Sequence, residues 1–171
     1  MLIKKRVKSL LLVICLCMAS NNALASNQGK IKRLIKTTEE QYWIPSGLLE
    51  AIAFVESGIN NHAINVDGKP VIATNNNEAL KVIADARENG IRNIDVGVMQ
   101  LNYRFHSKAF ANIQEMLNPK RNIEYAAKLL IRLKKKHGTW YAAICNYHSS
   151  KPDHQRKYSY KVVMKWGQKY A

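Results

Sequence analysis

The stretch AIAFVESGIN, Ala51 to Asn60, places an acid, Glu56, at the end of an apolar run, followed by Ser57 and a helix-stopping Gly58. With about 100° between successive helical residues, Leu49, Ile52 and Ala53 fall within roughly 60° of the direction of Glu56. The acid therefore shares a stripe with apolar side chains, whereas Glu50, about 120° away, can reach solvent. Two effects raise the pKa of an acid so placed. Desolvation beside apolar groups disfavours the carboxylate, and so does the negative end of its own helix dipole. A carboxylic acid kept protonated near neutral pH is the proton donor that glycosidic cleavage needs. The same letters also suit a last-turn glutamate facing water, and the segment alone leaves both readings open.

Two further stretches could complete a site. DVGVMQLN, Asp95 to Asn102, combines Gly97, which lets backbone approach a ligand closely, with Val98, the adaptable apolar Met99, and the donor and acceptor Gln100; Asn102 closes it. WYAAICNYHSSKP, from Trp140, supplies Tyr147, whose hydroxyl could hydrogen-bond the acid or a sugar, and His148. Trp43, Tyr103, Phe105 and Trp140 could form a sugar-stacking face or serve as core.

The elements that must position these residues are mainly helical. Ile31, Leu34, Ile35 and Thr38 recur at helical spacing before Tyr42. Pro45 opens a helix that ends at Glu56. HAINVDGKPVIAT predicts a hairpin turning at Asp67-Gly68. A helix follows from an Asn77 cap to Gly90, and Asp95 suits the cap of a short helix. Asn118-Pro119 starts the longest helix, with Ile123, Ala126, Ala127, Leu130 and Leu133 on one face and Lys134 to Lys136 complementing its negative end. Thr139 caps a short helix through Tyr147, and Asp153 begins a last one to Lys169, with Val162, Val163 and Trp166 inward.

The chain has 171 residues, 47% of them hydrophobic, enough for one domain with a core. Residues 1–25 read as a cleavable signal peptide: Lys4, Lys5, Arg6 and Lys8, an apolar stretch from Leu10 to Met18, then Ala23-Leu24-Ala25. The apolar run falls short of the roughly 20 residues of a spanning helix. The domain is residues 26–171, exported, with no stable membrane span after cleavage. Cleavage removes Cys15 and Cys17 and leaves Cys145, in an apolar context, as a buried packing thiol without a disulfide partner. The formal charge of +15 becomes +11 once the leader's four Lys/Arg are gone. Such a charge favours polyanions. Outside the cytoplasm these are membrane surfaces and cell-wall polymer, and no nucleic acid partner is expected. His62, His106, His137, His148 and His154 show no paired ligand spacing, so neither metal nor cofactor is expected.

Glu56-Ser57-Gly58, Gly97-Val98-Met99-Gln100 and Ala143-x-x-x-Tyr147, in that order behind a leader, resemble the lytic transglycosylase domain related to goose-type lysozyme. The likeness runs from about Ile31 to Tyr160 and is greatest to small members that accompany conjugation, pilus and type III secretion machines. The resemblance implies a mainly α, α+β lysozyme-like fold with one small β-hairpin and a glycan-binding groove. It places Glu56 as the single catalytic acid, acting in the periplasm on peptidoglycan glycan strands. Ser57 would orient the acid or the sugar, and Gly97, Val98, Met99, Gln100 and Asn102 would line the groove. Tyr147 would contact the acid, beside His148. Where the family continues Tyr-Asn-x-Gly, this chain has Tyr147-His148-Ser149-Ser150, and Asp95 stands where the family often has Ser. The implied reaction forms a 1,6-anhydro sugar. Hydrolysis of the same bond with Asp95 as second carboxylate, and a non-catalytic wall-binding assembly factor, are the alternatives.

Overall fold

The computed structural model describes residues 27–168. The expected leader, residues 1–25, and Lys169 lie outside the described residues. The chain forms a helix α1 (27–42), then α2 (Leu48–Ser57), β1 (Ala63–Val66), β2 (Lys69–Ile72), α3 (Asn76–Glu88), β3 (Ile94–Val96) and β4 (Leu101–Asn102). Four helices, α4 (Tyr103–His106), α5 (Ile113–Leu117), α6 (Pro119–His137) and α7 (Trp140–His148), lead to the closing α8 (Pro152–Gly167), with a 3₁₀ turn at Ser107–Ala109. The architecture is mainly α with a small antiparallel sheet, as the sequence predicts.

Local chemistry sets the boundaries. Asparagine side chains cap four helices: Asn75 on α3, Asn102 on α4, Asn112 on α5 and Asn118 on α6; Thr139 caps α7. Pro119 occupies the first position of α6, as expected. Three boundaries differ from the reading above, the first being that α2 runs from Leu48 to Ser57 behind Gly47 and does not open at Pro45. The cap of α3 is Asn75 rather than Asn77, because its side chain accepts from Glu78 N–H while Thr74 donates to the Glu78 carboxylate. Helix α8 begins at Pro152, and Asp153 lies in its first turn rather than at its cap.

The sheet departs further from the expected single hairpin. Asp67 and Gly68 do turn β1 into β2 with positive φ at both. β3 and β4 then extend the sheet in the order β2-β1-β3-β4. Asp95 is therefore a strand residue opposite Asn65 and Asn102, not a helix cap. The short β3 is recruited by β1, a partner about thirty residues away that local spacing does not reveal.

One core joins the two parts: Leu48, Leu49, Ile52, Ile64, Ile94, Val96, Met99, Ile123 and Leu130 are among its buried members. α2 packs on α8, α8 on α7 and α7 on α6. The C-terminal turn of α2 is thereby held against α8, and its Ser57 reaches Val98 O between β3 and β4. No helix among the described residues is long and apolar enough to cross a membrane.

Candidate active site

Glu56 is the penultimate residue of α2. Gly58 ends the helix at φ 64°, its N–H returning to Phe54 O and Ala53 O in the left-handed cap that glycine favours. Leu49, Ile52 and Ala53, on the stripe below the acid, are fully buried. The Glu56 side chain is only 10% exposed. Burial pushes its pKa up to about 8; Tyr158 pulls it down somewhat and the charge of Asp95 pushes it up again. The water-facing reading of Glu56 is thereby excluded. Glu50 instead lies 3.4 Å from Lys32, with a side chain 35% exposed.

The residues around Glu56 divide into those that face it and those that hold the frame. Tyr158, on α8, is 5% exposed, and its hydroxyl, although close enough to influence Glu56, meets hydrogen-bond geometry with no group. Burial and the neighbouring Glu56 charge hold its own pKa well above the usual tyrosine value. His148 stacks flat on Tyr158, ring centroids 4.5 Å apart at 9°. Its Nδ1 is 4.0 Å from Glu56 Oε1, too far for a hydrogen bond. Burial lowers the His148 pKa, against the pull of Asp95, so near pH 7 the neutral imidazole packs beside a neutral acid. Asp95 is half-buried, its pKa raised by burial against the Asn102 hydrogen bond and the His148 charge. Asn102 Nδ2 donates to Asp95 Oδ1 at 2.8 Å and to Asn93 Oδ1 at 2.9 Å.

The Gly97–Gln100 segment is held between α2, α6 and α7. Gly97, Val98 and Met99 are buried, and the Val98 and Met99 side chains belong to the core. The close approach that Gly97 permits is internal. At φ 77°, an added Cβ would lie 3.1 Å from Asn122 Nδ2. The fully buried Asn122 of α6 ties the segment down: Nδ2 donates to Val96 O and Met116 O, and Oδ1 accepts from Met99 N–H. Gln100, at φ 44°, donates through Nε2 to Ala63 O and Gly97 O. Ser57 Oγ lies 2.8 Å from Val98 O and 3.1 Å from Ala53 O, and it accepts from Asn60 N–H. Tyr147 donates to Met99 O at 2.9 Å rather than to the acid, although Glu56 is near enough to add to the burial that raises its pKa. Ser57 thus ties the β3–β4 turn to the end of α2, and Tyr147 ties it to α7.

A cleft of about 400 Å³ opens beside the acid, lined by Val55, Glu56, His148, His154, Lys157, Tyr158 and Lys161. Trp43, Tyr103, Phe105 and Trp140, of which Tyr103 and Phe105 share α4, line none of it. Trp43 is 90% exposed between α1 and α2. Cys145 is half-buried rather than fully buried. No group of three or more His, Cys, Asp or Glu among the described residues could hold a metal ion. Sequence reasoning missed Tyr158, Asn122 and the basic residues of α8. His154, Lys157, Tyr158 and Lys161 do share one helical face, which was the available signal.

The Transglycosylase SLT domain family matches residues 33–164. The chain is 35% identical over 123 residues to Protein IpgF of Shigella flexneri, and to the same degree to Protein IpgF of Shigella sonnei. The match covers 69% of this chain and 66% of each relative's length. No solved structure matches the chain. With the family's segment spanning both the Glu56 helix and α8, the chain belongs to the transglycosylase SLT domain family.

Proposed function

We propose that the protein is a peptidoglycan lytic transglycosylase, exported to the periplasm, that opens the wall locally for a conjugation, pilus or secretion apparatus. The observation that carries the reading is Glu56, buried in the wall of a cleft with its pKa near 8 and so protonated at neutral pH. In the proposed reaction Glu56 gives its proton to the glycosidic oxygen joining the muramyl C1 to the next sugar. The C1–oxygen bond breaks, and positive charge develops at C1. The muramyl C6 hydroxyl oxygen then bonds to C1, and the Glu56 carboxylate takes its proton. The acid is regenerated, no water is consumed, and the products are a 1,6-anhydro-muramyl end and a free hydroxyl end. Tyr158 and His148 shield the acid from water, and beyond that burial Tyr158 and Asp95 tune its proton affinity. Ser57, Gly97, Gln100 and Tyr147 hold the frame on which it stands.

A hydrolytic second reading rests on Asp95, whose strand position, Asn102 clamp and charge felt at Glu56 suit a second carboxylate. Purified protein incubated with peptidoglycan, beside Glu56→Gln, separates the readings by the mass of the released muropeptides. Anhydro products one water lighter than hydrolytic ones, absent with Glu56→Gln, are expected. Hydrated products that disappear in Asp95→Asn would replace the transglycosylase with a hydrolase. No Glu56-dependent product would leave a wall-binding assembly factor.

A further inference from the structure

The cleft beside Glu56 is not built as a sugar site alone. Sugars are held by hydrogen-bonding side chains and aromatic faces. Here α8 presents His154, Lys157, Tyr158 and Lys161 on one face, and three of these four carry or can carry positive charge. His154, Lys157 and Lys161 are exposed and free to meet a ligand. Glu56, neutral near pH 7, does not offset them, and Asp95 is not part of the lining. His148 registers the local field. Besides burial, His154 and Lys161 both oppose its protonation, while Asp95 favours it. The Tyr158 hydroxyl, in the same wall, is the buried side-chain polar atom among the described residues without a hydrogen-bond partner. A cleft of about 400 Å³ accommodates a substituent of many heavy atoms.

A glycan backbone of N-acetylated sugars is neutral, and its anionic groups hang from the lactyl ether of the muramyl residue. These are either the carboxylates of an attached stem peptide or, once the peptide is removed, the lactyl carboxylate itself. The muramyl residue is also the one whose C1 must lie at Glu56 in the proposed reaction. Resting on that reading, we propose that the basic face of α8 is a subsite for the carboxylates of the stem peptide. It would make peptide-bearing strands the preferred substrate and seat the muramyl residue, rather than its neighbour, at the acid.

The test uses the full chain carrying Glu56→Gln, so that binding is read without cleavage. Its probes are peptide-bearing glycan fragments, the same fragments stripped by an amidase, and neutral chitin oligosaccharides of equal length. Peptide-bearing fragments are expected to bind about fivefold tighter than chitin, as befits two charge pairs open to solvent. That ratio should fall toward one in added salt and in a Lys157→Gln/Lys161→Gln variant, and return with Lys157→Arg/Lys161→Arg. Equal binding of stripped and peptide-bearing fragments would overturn the stem-peptide assignment and move recognition to the lactyl carboxylate. Chitin binding as well as either, or a ratio unmoved by the lysine changes, would overturn the subsite altogether. The unmodified chain's cleavage products report separately on the reaction. Lysine-dependent binding without cleavage would sink the enzyme and keep the subsite; cleavage with charge-independent binding would do the reverse.

Discussion

Helix α2 has a buried carboxylate at each end, and the two are treated in opposite ways. At its N-terminus Glu39, reaching over from α1, is 3% exposed. Its oxygens accept from Gly47 N–H at 2.8 Å, Leu49 N–H at 2.8 Å and Glu50 N–H at 3.2 Å. Gly47 has no side chain to cap the helix, so Glu39 does so from a distance, at the positive end of the dipole. Glu56 sits at the other end, where the helix offers carbonyls instead of N–H donors. Its near neighbours are a hydroxyl out of hydrogen-bond geometry, an imidazole at 4.0 Å and a second carboxylate acting through space. Burial alone does not make an acid reactive. The donors it meets decide whether it becomes a structural anion or a stored proton.

The largest effect expected is on catalysis. Glu56→Gln keeps the shape, removes the transferable proton and should lower turnover roughly a thousandfold. The same change should raise stability at high pH. Glu56 holds its proton more tightly in the folded chain, at about 8, than at its ordinary 4.5, so its contribution is full below pH 4.5 and is lost as pH rises to 8. The Tm advantage of Glu56→Gln should therefore be small near pH 4, grow through that window and level off above it. An advantage that shrinks with rising pH would break the contrast.

Glu39→Gln should do the reverse. Replacing the charged acceptor of three N–H groups should cost about 3 kcal/mol, read as a Tm fall of about 10 °C, with little change in turnover per folded molecule. Tyr158→Phe removes a hydroxyl without a hydrogen-bond partner, so stability should stay within about 1 kcal/mol. Since Tyr158 lowers the Glu56 pKa, the alkaline limb of the pH–rate profile should move to higher pH. Asp95→Asn should give the smallest change: its charge raises the same pKa, so the limb should move to lower pH. A limb unmoved in both variants would mean that another group titrates in the rate.

What the sequence made legible follows the same division. The stripe Leu49, Ile52, Ala53 and the stop at Gly58 are local and singled out Glu56, but they left open its burial, which the packing of α8 over it decides. Asn118-Pro119 and Thr139 marked α6 and α7 for the same reason. Nothing in the sequence around Glu39 singles it out, because its three donors come from the start of the following helix. Asp95 read as a cap, because its strand exists only through pairing with β1 and β4. Tyr158 lies about a hundred residues from the acid it faces, and its neighbours in sequence, Lys157 and Ser159, say nothing of Glu56. The resemblance set Tyr147 against the acid and Met99 in the groove, whereas the tyrosine hydroxyl donates to the Met99 backbone carbonyl, a long-range link that neither motif spells out.

Asn122 has a kinetic consequence. Its side chain holds both Val96 O and the Met99 N–H, and it belongs to α6 rather than to the sheet. The Met99 amide is buried and engaged by that one side chain, so it can exchange with deuterium only when α6 releases the turn. Its protection should then match that of the α6 amides rather than the exposed β1–β2 hairpin. Wall and helix would open as a single cooperative unit, and the acid's surroundings would persist for as long as the longest helix stays folded.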